Sequence, residues 1–184
     1  LSNGELFQLP AGPVGFAAVA EYGKQGYDLR PDPLALTDYY YSWKDSDGSG
    51  KRSHAAIGGE VRVPVLSFLT LNGAGRYDTF GFAGRDVGKF TYNGGVELRP
   101  TNSLLVRAAY GTGFRAPDLH YVFTGPGNVQ GSVDDYFLCR TEEPDEDIGD
   151  CSYSGSGVVV SRSGNRNLRP ETGRTLTAGA VFSP

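Results

Sequence analysis

Leu104-Leu-Val-Arg-Ala-Ala-Tyr-Gly-Thr-Gly-Phe-Arg-Ala-Pro-Asp-Leu119 decides the fold. Its first half alternates. Leu104, Val106, Ala108 and Tyr110 fall on one side of a strand, and Leu105, Arg107, Ala109 and Gly111 on the other. A period of two is the signature of a strand with two different faces. Gly111 and Gly113 then loosen the strand, and Pro117 removes a backbone donor, so the chain leaves the sheet there. A strand pattern is expected again only after Glu171.

The same alternation runs outward in both directions. Leu1–Leu9 reads as the tail of a strand. Val14–Tyr27 sets Phe16, Ala18, Ala20 and Tyr22 against Ala17, Val19 and Glu21. His54–Val63 sets Ile57, Val61 and Val63 against Glu60 and Arg62; Phe68–Phe80 sets Leu69, Leu71 and Tyr77 against Asn72, Arg76 and Asp78. Lys89–Arg99 and Gly173–Phe182 continue it. About seven strands result, so the class is all-β, antiparallel and up-and-down. The connections near residues 10–13, 64–67 and 99–103 are short; those at about 28–53, 81–88 and 115–168 are longer. Outer-membrane barrels show this asymmetry, with short periplasmic turns and long external loops. A charge facing mid-bilayer lipid costs about 2–4 kcal/mol, which requires Glu60, Arg62, Glu97 and Arg107 to face inward. Tyr22, Tyr77, Tyr92 and Tyr110 lie towards the long-loop ends of the apolar faces, where an aromatic girdle belongs. The competing fold is a soluble β-sandwich with one wet face.

Composition agrees with an all-β chain: 27 Gly among 184 residues, eleven Tyr and ten Phe, one Trp and no Met. The net charge of −4 offers no basic field for nucleic acid. No apolar run approaches the roughly 18 residues of a membrane helix, and a polar average composition is compatible with a barrel, because only alternate strand residues meet lipid. No leader segment is visible, which suits an internal piece of a longer protein.

A second landmark is Gly164-Asn-Arg-Asn-Leu-Arg-Pro-Glu-Thr172. A strand ending in Gly113-Phe114-Arg115-Ala116-Pro117-x-Leu119, a long loop, then Asn165, Leu168, Pro170 and Glu171 in that second stretch resembles the barrel of TonB-dependent outer-membrane receptors. Thr177 stands where that family usually has Glu. The resemblance implies a barrel of about 22 strands with a plugged lumen, of which this chain supplies roughly seven as one fragment spanning residues 1–184. It implies as partners a plug domain, the remaining barrel strands, the TonB complex acting through an N-terminal region absent here, outer-membrane lipid and a small nutrient ligand. The implied function is active uptake of a scarce nutrient of the ferric siderophore, cobalamin or carbohydrate class, in the outer membrane of a Gram-negative bacterium. The rivals are a passive porin and a soluble β-rich binding module.

Catalytic chemistry is not expected. Gly111-Thr-Gly-Phe-Arg-Ala116 matches the dinucleotide fingerprint in letters, but no helix or βαβ unit is predicted after Pro117. Asp45-Ser-Asp-Gly48 shares letters with a calcium loop, yet an EF-hand frame puts Trp43 and His54 at its first and twelfth positions, where carboxylates are required. His54 and His120 are the only histidines and lie apart, so neither a metal site nor a cofactor is expected. Cys139 and Cys151 share the long loop and lack partners at metal-finger spacing. A local disulfide is the expected state, with two free thiols as the alternative. Asp134–Asp150 carries eight acids against Arg140 alone: a solvated surface, or an attractor of cationic ligands. Tyr39-Tyr40-Tyr41-Ser-Trp43, with Tyr136, Phe137 and Arg140, are the candidate ligand contacts of the loops.

Overall fold

The computed structural model describes residues 1–41 and 43–183 of the chain. In chain order the elements are β1 (Ser2–Leu9), β2 (Gly12–Leu29), a 3-10 turn (Pro33–Leu36), β3 (Gly48–Leu66), β4 (Leu69–Phe82), β5 (Arg85–Thr101) and β6 (Leu104–Arg115). Then follow α1 (Leu119–Phe123), β7 (Gly127–Val133), α2 (Tyr136–Glu142), β8 (Ser156–Arg162) and β9 (Glu171–Phe182). Two compact units result: residues 1–26, 51–118 and 168–184, and residues 27–50 and 119–167.

The first unit is a seven-stranded antiparallel sheet in the order β1-β2-β3-β4-β5-β6-β9, so six strands pair with their sequence neighbours and β9 closes onto β6. The register sorts its faces. Val63 pairs with Leu71, Leu71 with Val96 and Val96 with Ala108, which in turn opposes Ala178. Directly opposed residues point the same way, so one apolar face runs through the sheet. On the other face Arg62 opposes Asn72, Glu97 opposes Arg107 and Arg107 opposes Gly179. On the apolar face Ile57, Phe90, Leu176 and Phe182 are each more than half exposed. Tyr77 pairs with Phe90, and the Tyr92 ring lies 6.2 Å from both Phe90 and Tyr110, forming an aromatic band near one end of these strands. β2, β3 and β5 contain 18, 19 and 17 residues, against a usual strand of about 5–6 in soluble domains and about 9–11 needed to cross a bilayer.

Four sequence expectations need correction. The connection at 81–88 is not a loop but a two-residue turn, Ala83-Gly84, between Phe82 and Arg85, both residues having positive φ (51° and 76°). That geometry matches the right-handed twist of paired strands, and Gly84 adopts it without strain. The first long connection shortens from 28–53 to 30–47, because β2 and β3 extend beyond their apolar alternation. Backbone pairing, not side-chain hydropathy, sets strand length there. Pro64 does not end its strand: it pairs with Thr70 beside an irregularity before Leu66 that accommodates the missing donor. Finally, residues 115–168 are not devoid of strands or helices, as the second unit shows.

In that unit β7 and β8 form their own antiparallel ribbon, Val129 against Val160 and Val133 against Ser156. The β-branched Val158-Val-Val160 carried that signal. α1 is a single turn that buries Leu119 and Val122. The buried side chains of the unit, among the described residues, are Ala35, Ser46, Leu119, Val122, Cys139 and Cys151. Gly48 and Gly50 permit this packing: a Cβ on Gly50 would overlap the Phe123 ring at 2.2 Å, and one on Gly48 would meet the Phe123 carbonyl oxygen at 2.5 Å.

Candidate functional site

On the polar face of the sheet, alternation places Glu21 of β2, His54 of β3 and Arg76 and Asp78 of β4 side by side. Arg76 Nη2 donates to Glu21, and its Nε donates to both Asp78 oxygens at 3.1 and 3.0 Å. Asp78 Oδ1 lies 2.9 Å from His54 Nε2. The Asp78 and His54 side chains are 13% and 23% exposed, so water screens this pair less than a surface one. The His54 ring stacks on Phe80 at 4.3 Å. Arg52 lies over the same Phe80 ring, 5.0 Å from its centroid, and its Nη1 donates to the Pro117 carbonyl at 2.7 Å. Beside the network, Ala17, Gly58, Ala74 and Thr91 help line a groove of about 370 Å3. The network thus links two carboxylates, one guanidinium and one imidazole next to small residues. Arg52 falls in the expected loop, which ends at Ser53, although it alternates with His54 and Ala56; His54 stands at the start of its expected strand and reads there only as a histidine without metal partners.

The two landmark motifs acquire physical roles. Arg115 opposes Glu171 across β6 and β9, with Nη1 and Oε2 3.6 Å apart. Both ends are exposed, so the pair is worth only about 0.2–1 kcal/mol and aligns register more than it stabilises. Gly113 opposes Gly173. Thr112 takes the Tyr92 amide on its hydroxyl at 2.9 Å, and regular pairing of β6 with β5 stops at Gly111. Beyond that break the Phe114 ring reaches Phe80, 5.8 Å away. Ala116 is half-buried and Pro117 buried. In the second motif the Leu168 carbonyl accepts from Arg85 Nη2 at 2.9 Å. Gly164 donates its amide to Thr124 O at 2.7 Å, and Asn165 donates to Tyr121 O at 2.8 Å. The Asn165 side chain accepts from the Asn167 amide, a turn that brings the chain towards Pro170 and β9.

In the second unit Cys139 and Cys151 form a disulfide. Asp135 caps α2, its Oδ1 accepting from the Phe137 and Leu138 amides at 3.1 and 3.0 Å. Asp134 accepts from Gly155 N at 2.9 Å and Ser154 Oγ at 2.8 Å, and these donors hold its carboxyl below the usual range. Glu143 is lowered in the same way by the Ser152 amide. Part of the acidic run therefore organises the loop itself.

The candidate contacts fall into two groups. Tyr39, Tyr40 and Trp43 form one cluster, with ring centroids 5.2 Å (Tyr39–Tyr40) and 5.4 Å (Tyr40–Trp43) apart. Tyr41 is 91% exposed beside them, and Ser42 of this stretch lies outside the described residues. Tyr136, Phe137 and Arg140 lie exposed on α2. No ring contact joins the two groups among the described residues. Nor does any group of three His, Cys, Asp or Glu side chains converge among them.

No curated protein and no solved structure matches the chain significantly. The family model of the TonB-dependent receptor-like β-barrel matches residues 2–184. That match spans the sheet and its inserted unit alike, and it agrees with the motif pair and with the long, two-faced strands: the chain belongs to the TonB-dependent receptor β-barrel family.

Proposed function

We propose that this chain is a section of the barrel of an outer-membrane receptor that takes up a scarce nutrient actively, and that residues 27–50 and 119–167 form its ligand-recognition element. The family is one of transporters and receptors of the Gram-negative outer membrane. The observation that carries the proposal is the two-faced sheet: an apolar, aromatic-banded face whose large side chains stand exposed, and a polar face that carries the linked Glu21, Arg76, Asp78 and His54. Lipid suits the first. A plug domain suits the second, since the groove beside Arg76 is walled by small side chains that leave room for another surface. β1 and β9 are the sheet's edges and need further strands to satisfy their outer backbone groups. Transport then draws on the TonB complex to displace the plug. A passive porin lacks a reason for the paired motifs. A soluble module lacks a reason for 19-residue strands with an exposed apolar face.

We assign recognition to the inserted unit because there, among the described residues, a connection carries its own two-stranded ribbon and a disulfide. A cross-linked loop is already ordered, which lowers the cost that binding must meet. The test removes residues 134–155 and joins Val133 to Ser156, which are register partners, through an Asn-Gly turn. Nutrient uptake and affinity should fall at least tenfold in the complete receptor while the barrel remains assembled and heat-modifiable. Unchanged affinity would place recognition elsewhere.

A further inference from the structure

The apolar face of the seven-stranded sheet gathers its charges at one end. Among the described strand residues of the first unit, that face carries Lys24, Lys51, Asp86 and Arg174, all towards the long connections. Strand alternation fixes their side. Glu21 meets Arg76 on the polar face, so Tyr22 and Lys24 turn to the apolar one. Arg52 lies over Phe80 on the polar face, so Lys51 turns away from it. Arg174 opposes Thr112, one step along the face from the Leu176–Tyr110 pair. Lys24 and Arg174 therefore stand about 7 Å along their strands beyond Tyr22 and Leu176. Lys51 lies farther out. β2 and β3 are neighbours, and their Gln25 and Arg52 side chains hydrogen-bond, which brings Lys24 and Lys51 close together on the opposite face.

All three cations are exposed, and none forms an ion pair among the described residues. Asp86, beside the Ala83-Gly84 turn, is the acid on this face of the unit. The chain as a whole carries −4, so three cations against one acid run counter to its composition. Nearer the short turns stand the exposed Tyr22, Tyr77, Phe90 and Leu176. Together these features select a ligand class. A soluble anion would meet the cations but leave the rings in water. A neutral lipid would cover the rings but leave the cations unpaired. A lipid with an anionic headgroup satisfies both, because long basic side chains at the edge of an apolar zone extend their charges to headgroup level. Phosphate oxygens there accept charge-assisted hydrogen bonds from Lys and Arg.

We infer, on the reading of this face as the lipid side of a barrel, that Lys24, Lys51 and Arg174 bind the phosphates of a phosphorylated membrane lipid whose acyl chains cover the aromatic band. Each cation near an anionic headgroup surface strengthens binding about fivefold. The test reconstitutes the complete receptor in phosphatidylcholine vesicles doped with bis-phosphorylated lipid A or with the same lipid dephosphorylated. Mass spectrometry counts the doped lipid retained per receptor after detergent extraction. The phosphorylated form should be retained at least tenfold better. K24Q/K51Q/R174Q should bring that ratio close to one, whereas R62Q, which removes a charge from the polar face, should leave it unchanged. Heat-modifiability verifies assembly. Should the triple variant fail to assemble, the unaltered receptor decides: in about 1 M salt, where the Debye length is about 3 Å, its preference should vanish. A ratio that survives the variant or the salt, or an equal loss in R62Q, overturns the inference. So does displacement of the lipid by excess inorganic phosphate, which would mark a site for soluble anions. Equal retention of both lipids defeats the headgroup site alone. A complete receptor that retains neither lipid and stays monodisperse without detergent defeats the barrel reading as well.

Discussion

At the scale of the residue, Gly164 shows why the second motif begins as it does. A Cβ there would stand 2.7 Å from Thr124 O and 2.8 Å from Val122 O, both backbone atoms that cannot swing aside. G164A should therefore loosen the seam between α1 and the motif by about 1–3 kcal/mol, the usual cost of overpacking. Faster hydrogen exchange at Thr124 and Asn165 would report it, and unchanged exchange would show that the chain shifts freely. Asp134 offers a second test. Its folded pKa lies below the unfolded value near 3.9, so its contribution is present above that value and is lost as pH falls through the folded pKa. The Gly155 amide, corrected for intrinsic exchange, should be protected at pH 6 and lose protection below about pH 4. In D134N the protection should be lower at pH 6 and nearly independent of pH. Neither residue's role was legible in the sequence: Gly164 depends on contacts with residues 40 positions away, and Asp134 reads in isolation as one more charge in an acidic run.

At the scale of the element, alternation made six of the seven strands and their faces legible, whereas β1, with Leu6 and Phe7 adjacent, reads only as the tail of a strand. Alternation failed where hydropathy stops being informative. β2 and β3 continue through polar residues because backbone pairing continues, and Ala83-Gly84 closes a hairpin with a non-glycine at positive φ that the letters do not advertise. The β7–β8 ribbon was hidden by its flanking polar residues. It now gives the disulfide a purpose. Cys139 in the middle of α2 is tied to Cys151 ahead of β8, which links the helix to the segment that leads into the second strand of the ribbon. Replacing both cysteines by alanine should destabilise the inserted unit by up to about 3 kcal/mol in the chain-entropy picture. Limited proteolysis of whole receptors should then cut within 134–155 at lower protease concentrations, with the barrel still heat-modifiable. Equal resistance would mean that Asp134, Asp135 and Glu143 suffice to hold the loop.

At the scale of the whole molecule, the central claim is that this sheet is a barrel wall, lipid on one face and lumen on the other. The candidate site was only half legible in advance: the sequence marked the loops but not the paired charges of Glu21, Arg76, Asp78 and His54, which are brought together from three strands up to 57 positions apart. Such a network forms only when register is set, and a slip of one residue would send Arg76 to the apolar face. The most direct test is cysteine accessibility in the complete receptor assembled in outer membranes, with C139A/C151A as the background. Single cysteines replace Leu71, Val96 and Val106 on one face, and Arg62, Glu97 and Arg107 on the other. The first three should react with a lipid-soluble maleimide and resist a membrane-impermeant one; the second three should do the reverse. Water-soluble labelling of both faces, or a reversed pattern across β4, β5 and β6 together, would contradict the barrel wall.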